Sequence, residues 1–132
     1  MATLFAHIQI KAGQEPAFEA LCQTLHERSH AEDSGLIRYE YWRSGTPGLY
    51  YCLLVFEDYR SFMAHQTSAH HEDAVPALHQ AIESMRLEWL DPVPGASDLP
   101  ATREQSLSDD ASPLAKRYAE TIPVQIAAWW AR

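Results

Sequence analysis

His65 and His70 are the residues of this sequence best suited to exchange a proton near neutral pH. They fall in Met63-Ala64-His65-Gln66-Thr67-Ser68-Ala69-His70-His71, where a short helical segment meets a longer one. An imidazole at a cavity mouth there could take the proton of a phenolic substrate. The same rings could instead secure the helix junction through backbone hydrogen bonds. Tyr39, Tyr41 and Tyr51 are the companion candidates. Alternation places them on strand faces, with Tyr39 and Tyr41 projecting together. Their hydroxyls could orient an oxygenated aromatic ring in an apolar pocket, or serve as polar handles on core aromatics. Trp42 and Trp89 read as packing residues. His7 lies on the opposite strand face from Ala6 and is expected to look toward a subunit contact.

Other chemistry finds less support. His26 and His30 have the i, i+4 spacing of two zinc ligands, but no third ligand accompanies them, and histidines suit a helix C-terminus on electrostatic grounds alone. His70, His71, Glu72 and Asp73 are consecutive, so on a helix they fan around the axis. No phosphate-binding loop, G-x-S-x-G motif, or flavin or nicotinamide fingerprint is present. The expectation is therefore no metal and no cofactor. An oxygenase without one needs a substrate that, once deprotonated, can itself reduce O₂. The protein would supply a dry pocket, a base and donors for the developing anion.

The elements that must position these residues follow from hydrophobic periodicity. Leu4 to Lys11 reads as a strand ended by Ala12-Gly13. Phe18, Leu21, Cys22 and Leu25 form one stripe of a helix that starts at Pro16 and runs to about His30. Strands at Leu36–Arg43 and Leu49–Glu57 are joined by Ser44-Gly45-Thr46-Pro47-Gly48. Ile37, Tyr39 and Tyr41 should share one face. The Leu49–Glu57 strand is apolar on both faces and must be covered on both, by this chain's helices and, most simply, by a second subunit. Asp58 caps a short helix to Gln66, and Ser68 caps a longer one to about Met85, with Pro76 inside it. Arg86 to Leu90 is a last strand. The order β-α-β-β-α-β predicts an α+β, ferredoxin-like fold with an antiparallel sheet over residues 1–92. Residues 93–132 form an extended linker and a C-terminal helical tail. There Leu114, Tyr118, Ile122, Ile126 and Trp130 recur every four residues, and Pro123 should kink or divide the helix. Trp129 and Trp130 predict that the tail docks.

Bulk properties narrow the partners. Eighteen acidic against ten basic residues give a net charge of -8. A surface that acidic argues against nucleic acid and anionic membranes as partners. No apolar run is long enough for a bilayer, and the N-terminus lacks a secretory pattern. Two unpaired-looking cysteines, Cys22 and Cys52, fit buried thiols in a cytoplasmic protein, although their spacing does not exclude a disulfide.

Three stretches are similar to one family. Ala6-His7-Ile8-Gln9-Ile10-Lys11-Ala12-Gly13-Gln14-Glu15 resembles the first strand and turn of antibiotic biosynthesis monooxygenase domains. Ser34-Gly35-Leu36-Ile37-Arg38-Tyr39-Glu40 resembles their second strand. Phe56-Glu57-Asp58-Tyr59-Arg60-Ser61-Phe62, continuing to His71, matches their aromatic strand end, acidic turn and A-H-x-x-S-x-H run. The resemblance covers about residues 4–92. It implies a dimeric α/β barrel, a homodimer with sheets packed face to face and a cavity between sheet and helices in each subunit. Family members include cofactor-free oxygenases of quinols and polyketide anthrones, haem-degrading enzymes and isomerase-like proteins. The haem-degrading branch carries an Asn, a Trp and a His where this chain has Ala6, His65 and Val75, which points away from haem.

The resulting expectation is a cofactor-independent monooxygenase that oxidises a small quinol-like or polyketide-like aromatic with O₂. His65 and His70 are its candidate catalytic residues, and Tyr39, Tyr41 and Tyr51 its substrate-binding ones. The alternatives are a non-catalytic small-molecule binding or stress-response domain, and an isomerase or lyase using the same cavity.

Overall fold

The structure, a computed structural model, describes residues 1–130. Eight elements follow in the order β1 (Ala2–Ile10), α1 (Glu15–Glu32), β2 (Leu36–Arg43), β3 (Leu49–Phe56), α2 (Tyr59–Gln66), α3 (Ala69–Ala81), β4 (Ile82–Trp89) and α4 (Pro113–Thr121). The strands form one antiparallel sheet in the order β2-β3-β1-β4. This is the ferredoxin-like α+β arrangement, with the sheet open rather than closed into a barrel.

The register sorts side chains by face. Ala6 pairs with Cys52, Leu4 with Leu54, and Tyr41 with Cys52. Because side chains alternate along a strand, Leu4, Ala6, Ile8, Cys52, Leu54, Tyr39 and Tyr41 share the face that the helices cover. Phe5, His7, Tyr51 and Leu53 share the other. Helix α1 presents Phe18, Cys22, Leu25 and Ser29 to the sheet, all buried, at near-helical spacing. Its start has a proline in the first turn and Glu15 near the positive end of the helix dipole. Helices α2, α3 and α4 each begin on a side-chain cap. Asp58 accepts from Ser61 N–H at 2.8 Å, Ser68 from His71 N–H at 3.2 Å, and Ser112 from Ala115 N–H at 3.1 Å.

Several expectations need correcting. Ile82 and Met85 do not extend α3. They lie in β4, which begins at Ile82 because the backbone there finds hydrogen-bond partners along β1. Ile37 does not share the face of Tyr39 and Tyr41. The register between β2 and β3 shifts at Leu36/Arg38, leaving Ile37 as the extra residue of a bulge and 40% exposed. The tail helix ends at Thr121, two residues before Pro123, which lacks the N–H a continuing helix would use. Trp130 packs against the core, whereas Trp129 is 84% exposed.

The segment after β4 has little regular structure yet is held in place. Thr102 is fully buried, donating its hydroxyl to Leu90 O at 2.6 Å and its N–H to Asp91 Oδ1 at 2.9 Å. Arg103 N–H then donates to Met1 O. Farther on, Arg60 Nε donates to Ser106 O, and Gln105 Oε1 accepts from Arg60 N–H, both at 3.0 Å. The Tyr59 hydroxyl donates to Ile122 O at 2.7 Å.

These roles rank two substitutions. Phe18→Ala removes a fully buried ring between α1 and the sheet and should cost about 3–5 kcal/mol. Asp58→Ala removes a helix cap and should cost about 1 kcal/mol. Urea unfolding of both variants checks the order; equal losses would mean that α1 does not anchor on Phe18.

Candidate functional site

Between the sheet and its helices lies a cavity of about 350 Å³. Its floor is made small by Ala6 and Cys52, paired across β1 and β3. Tyr39, Tyr41 and Phe18 stand at one side. His65 and Gln66 come from α2, and His71, Val75 and Leu78 from α3. Tyr118, Thr121 and Ile122 complete the wall from the chain beyond β4.

His65 stands at the centre of the polar cluster. Its ring is 1% exposed, and Nδ1 lies 2.6 Å from Asp33 Oδ2. A carboxylate at that position accepts the Nδ1 proton and so assigns the tautomer, leaving Nε2 as the nitrogen able to accept a proton. Tyr39 meets the imidazole edge-on, with ring centroids 4.9 Å apart, and Phe56 lies at 5.3 Å. Ser29 Oγ is 3.5 Å from the same Nδ1, at the limit of hydrogen-bonding range.

Asp33 closes α1 as its C-cap residue, a position where the helix dipole disfavours a carboxylate. Burial also pushes its pKa up, but the hydrogen bond from His65 and the charges of His65 and His70 outweigh it, and the net shift is downward. Gly35, two residues on, is what lets the chain turn here. It adopts φ +77°, and a Cβ would come within 2.9 Å of Ser61 Cβ.

His70 sits behind this pair rather than on the cavity wall. Its Nε2 is 3.1 Å from Asp33 Oδ1 but is turned off the hydrogen-bond direction, and its Nδ1 is 3.3 Å from Glu32 Oε2. His70 therefore meets the site from behind, through Asp33 and through the His65 ring, which it meets edge-on with centroids 5.9 Å apart. His71 lines the cavity instead, 5.3 Å from His65 between ring centroids. Burial and the neighbouring charge of His65 hold its pKa below the ordinary histidine value, so its ring is neutral at neutral pH.

Tyr39 and Tyr41 come together as their alternation predicts, hydroxyl to hydroxyl at 2.7 Å. Burial pushes both pKa values well above the ordinary phenol range, so both remain protonated donors. Tyr51 does not join them. It lies on the far face of the sheet, stacked on Phe5 at 5.2 Å and edge-on to His7 at 5.4 Å. Its parity along β3 is opposite to that of Cys52 and Leu54, and this removes it from the cavity. Cys22 and Cys52 are free and buried, and burial raises both thiol pKa values, that of Cys22 to about 12. Buried neutral thiols of this kind are poor nucleophiles.

Asp33, His65 and His70 offer ligand atoms within 4.8 Å of one another, a two-histidine, one-carboxylate donor set that sequence spacing does not suggest. The arrangement is nonetheless that of a hydrogen-bonded Asp33–His65 pair with His70 beside it. Two ligands of one zinc at ordinary bond lengths stand about 3.3 Å apart, whereas the His65 nitrogen and Asp33 oxygen are at 2.6 Å. His26 and His30 stack at 4.2 Å on the exposed side of α1, with no third ligand among the described residues.

The sequence model of the antibiotic biosynthesis monooxygenase family matches residues 1–77. The chain belongs to this family. Its fold is similar to that of PA3566 from Pseudomonas aeruginosa, with TM-score 0.64 and 19% identity over 70% of this chain and 93% of the other. A crystal structure of an antibiotic biosynthesis monooxygenase gives TM-score 0.65 at 19% identity, over 71% of this chain and 100% of that one. Rv0793 from Mycobacterium tuberculosis gives TM-score 0.65 at 15% identity, over 73% and 98%. At such identities the likeness is one of fold. No curated protein sequence matches the chain. The family match covers α2 and most of α3, and hence His65 and His71, whereas α4 lies outside it. None of the described helices is long and apolar enough to cross a membrane.

The Asp33 shift has a signed consequence. Its folded-state pKa lies below the ordinary value of 3.8, so its stabilisation is present above that pH and is lost as pH falls through the lower folded value. In urea titrations, wild type should be more stable than Asp33→Asn at neutral pH, and the difference should shrink below about pH 4. A difference that persists undiminished in strong acid would assign the stabilisation to other groups.

Proposed function

We propose that the chain is a cofactor-independent monooxygenase of small quinol-like or polyketide-like aromatics, with His65 as its base. The observation that carries this reading is the Asp33–His65 pair at 2.6 Å on the wall of an apolar cavity that also holds a hydrogen-bonded pair of phenols. Membership of the family agrees with it.

In this reading a phenolic or activated C–H group gives its proton to His65 Nε2. The imidazolium so formed is stabilised by Asp33, the same carboxylate that orients the ring. One hydroxyl of the Tyr39–Tyr41 pair donates to the other, and the second donates toward the substrate oxygen as negative charge develops on it. The deprotonated substrate passes its electrons to O₂ and forms a carbon–oxygen bond, giving a hydroperoxide. Loss of water then converts an activated CH₂ into C=O, so that one oxygen atom enters the product and the other leaves as water. The buried, apolar lining keeps water from the carbanion and its peroxide. His70 is a positioning residue here, since it touches Asp33 and the His65 ring and does not line the cavity.

A homodimer is part of the same proposal. Phe5, His7, Tyr51 and Leu53 form an aromatic and aliphatic patch on the sheet face away from the helices, and Trp42 on β2 is 57% exposed. A second copy laid sheet to sheet would cover that patch.

Oxygen uptake by metal-stripped protein, offered a panel of hydroquinones and anthrones, tests the activity. His65→Ala should lose about 100-fold or more of kcat, and Asp33→Asn should lower kcat more than it changes KM. Turnover that continues without oxygen would replace this reading with an isomerase or lyase, and binding without turnover would leave a binding domain. Separately, Leu53→Glu should shift the sedimentation of the protein from dimer to monomer; a variant sedimenting as wild type would remove this face from the interface.

A further inference from the structure

We propose that Tyr118 is a substrate-binding residue contributed by the C-terminal segment, and that the cavity selects an aromatic carrying an oxygen at each end. The inference rests on the cavity being the substrate site and adds to that reading a second anchor.

Two sets of polar groups on the cavity wall stand on either side of His71. His65, with Tyr39 against its ring, forms one. Tyr118 forms the other, and His71 stands between them, 5.3 Å from the His65 centroid and 5.9 Å from that of Tyr118. The Tyr118 hydroxyl donates to Glu72 Oε1, a carboxylate oxygen that also lies 3.3 Å from His71 Nδ1. With its proton committed to Glu72, the phenol oxygen keeps acceptor capacity and can receive a substrate hydroxyl. Burial and that hydrogen bond push the Tyr118 pKa up to about 12, so the group stays a neutral phenol across the working range. A substrate with one hydroxyl at His65 and a second at Tyr118 would satisfy both sets at once. A substrate with a single oxygen leaves one of them without a partner.

Tyr118, Thr121 and Ile122 of the same segment close one wall of the cavity. The wall is fixed rather than loosely apposed. The Tyr59 hydroxyl on α2 holds Ile122 O at 2.7 Å, and Ser112 caps α4. Ala115, one turn before Tyr118, is buried. Since α4 lies outside the residues the family model matches, this wall is a feature of the present chain's own tail.

Calorimetric titration of 1-naphthol and naphthalene-1,5-diol into the full-length protein tests the anchor. Wild type should bind the diol about five- to tenfold more tightly, the worth of one added hydrogen bond. In Tyr118→Phe the preference should fall to within about twofold, with 1-naphthol affinity unchanged. A diol preference retained in Tyr118→Phe, or absent from wild type, overturns the anchor. Failure of wild type to bind either naphthalene overturns both this inference and the cavity reading. A diol preference retained in Tyr118→Phe while His65→Ala still loses oxygen uptake overturns the anchor and leaves the His65 reading standing.

Discussion

The site depends on one hydrogen bond, the 2.6 Å contact between Asp33 and His65. It joins the end of α1 to α2, two elements with no other strong polar link at this depth. The position is unfavourable for a carboxylate, because the helix dipole presents its negative end there and the group is partly buried. Its pKa is nonetheless lowered, so the imidazoles outweigh both penalties. Asp33 thereby fixes the His65 tautomer, while His70 approaches its other oxygen and limits how the carboxylate can turn. Gly35 completes the constraint. Its positive φ and its closeness to Ser61 admit no side chain, and Gly35 O accepts from Glu57 N–H at 2.8 Å, tying the α1–β2 turn to the end of β3.

The cavity follows from side-chain size rather than from any special backbone feature. Neighbouring positions on the helix-covered sheet face hold Leu4, Ile8, Leu54 and Phe56, which fill the space beneath the helices. At the register pair Ala6–Cys52 both partners are small, and the helices above cannot follow the sheet down into the gap. Phe18, meeting Tyr50 at 4.9 Å and Tyr41 at 5.9 Å, supports one flank. Empty apolar volume costs stability. Here it is retained beside buried phenols and imidazoles whose polar atoms require partners, and that combination characterises a binding site more than a packing fault.

Much of the fold was legible from periodicity, and the failures have identifiable causes. Alternation placed Tyr39 and Tyr41 together because β2 is polar on one face and aromatic on the other. It could not place Tyr51, because β3 is apolar on both faces and its sequence does not say which set meets the helices. Ile82 and Met85 fit a helical stripe equally well as an inward-facing strand edge, and only pairing with β1 decides between them. Asp33 was missed as a partner of His65 because the two are 32 residues apart in sequence. Choosing His70 over His71 was an error of helical phase: consecutive residues differ by about 100° around the axis, enough to turn one behind the site and the other into it.

The tail illustrates a division of labour that the sequence pattern conceals. It is tied to the body both by its backbone, with Arg60 reaching Ser106 O, Tyr59 reaching Ile122 O and Arg103 N–H reaching Met1 O, and by the side chains of Thr102 and Gln105. Except at Ile122, these attachments lie apart from the residues that face the cavity, Thr121 among them, while Trp129 faces solvent. A wall held in this way can change its inner surface by substitution without losing its attachment. His65 and Asp33 belong to the part of the chain that defines the fold, whereas one wall of the cavity comes from the segment added to it.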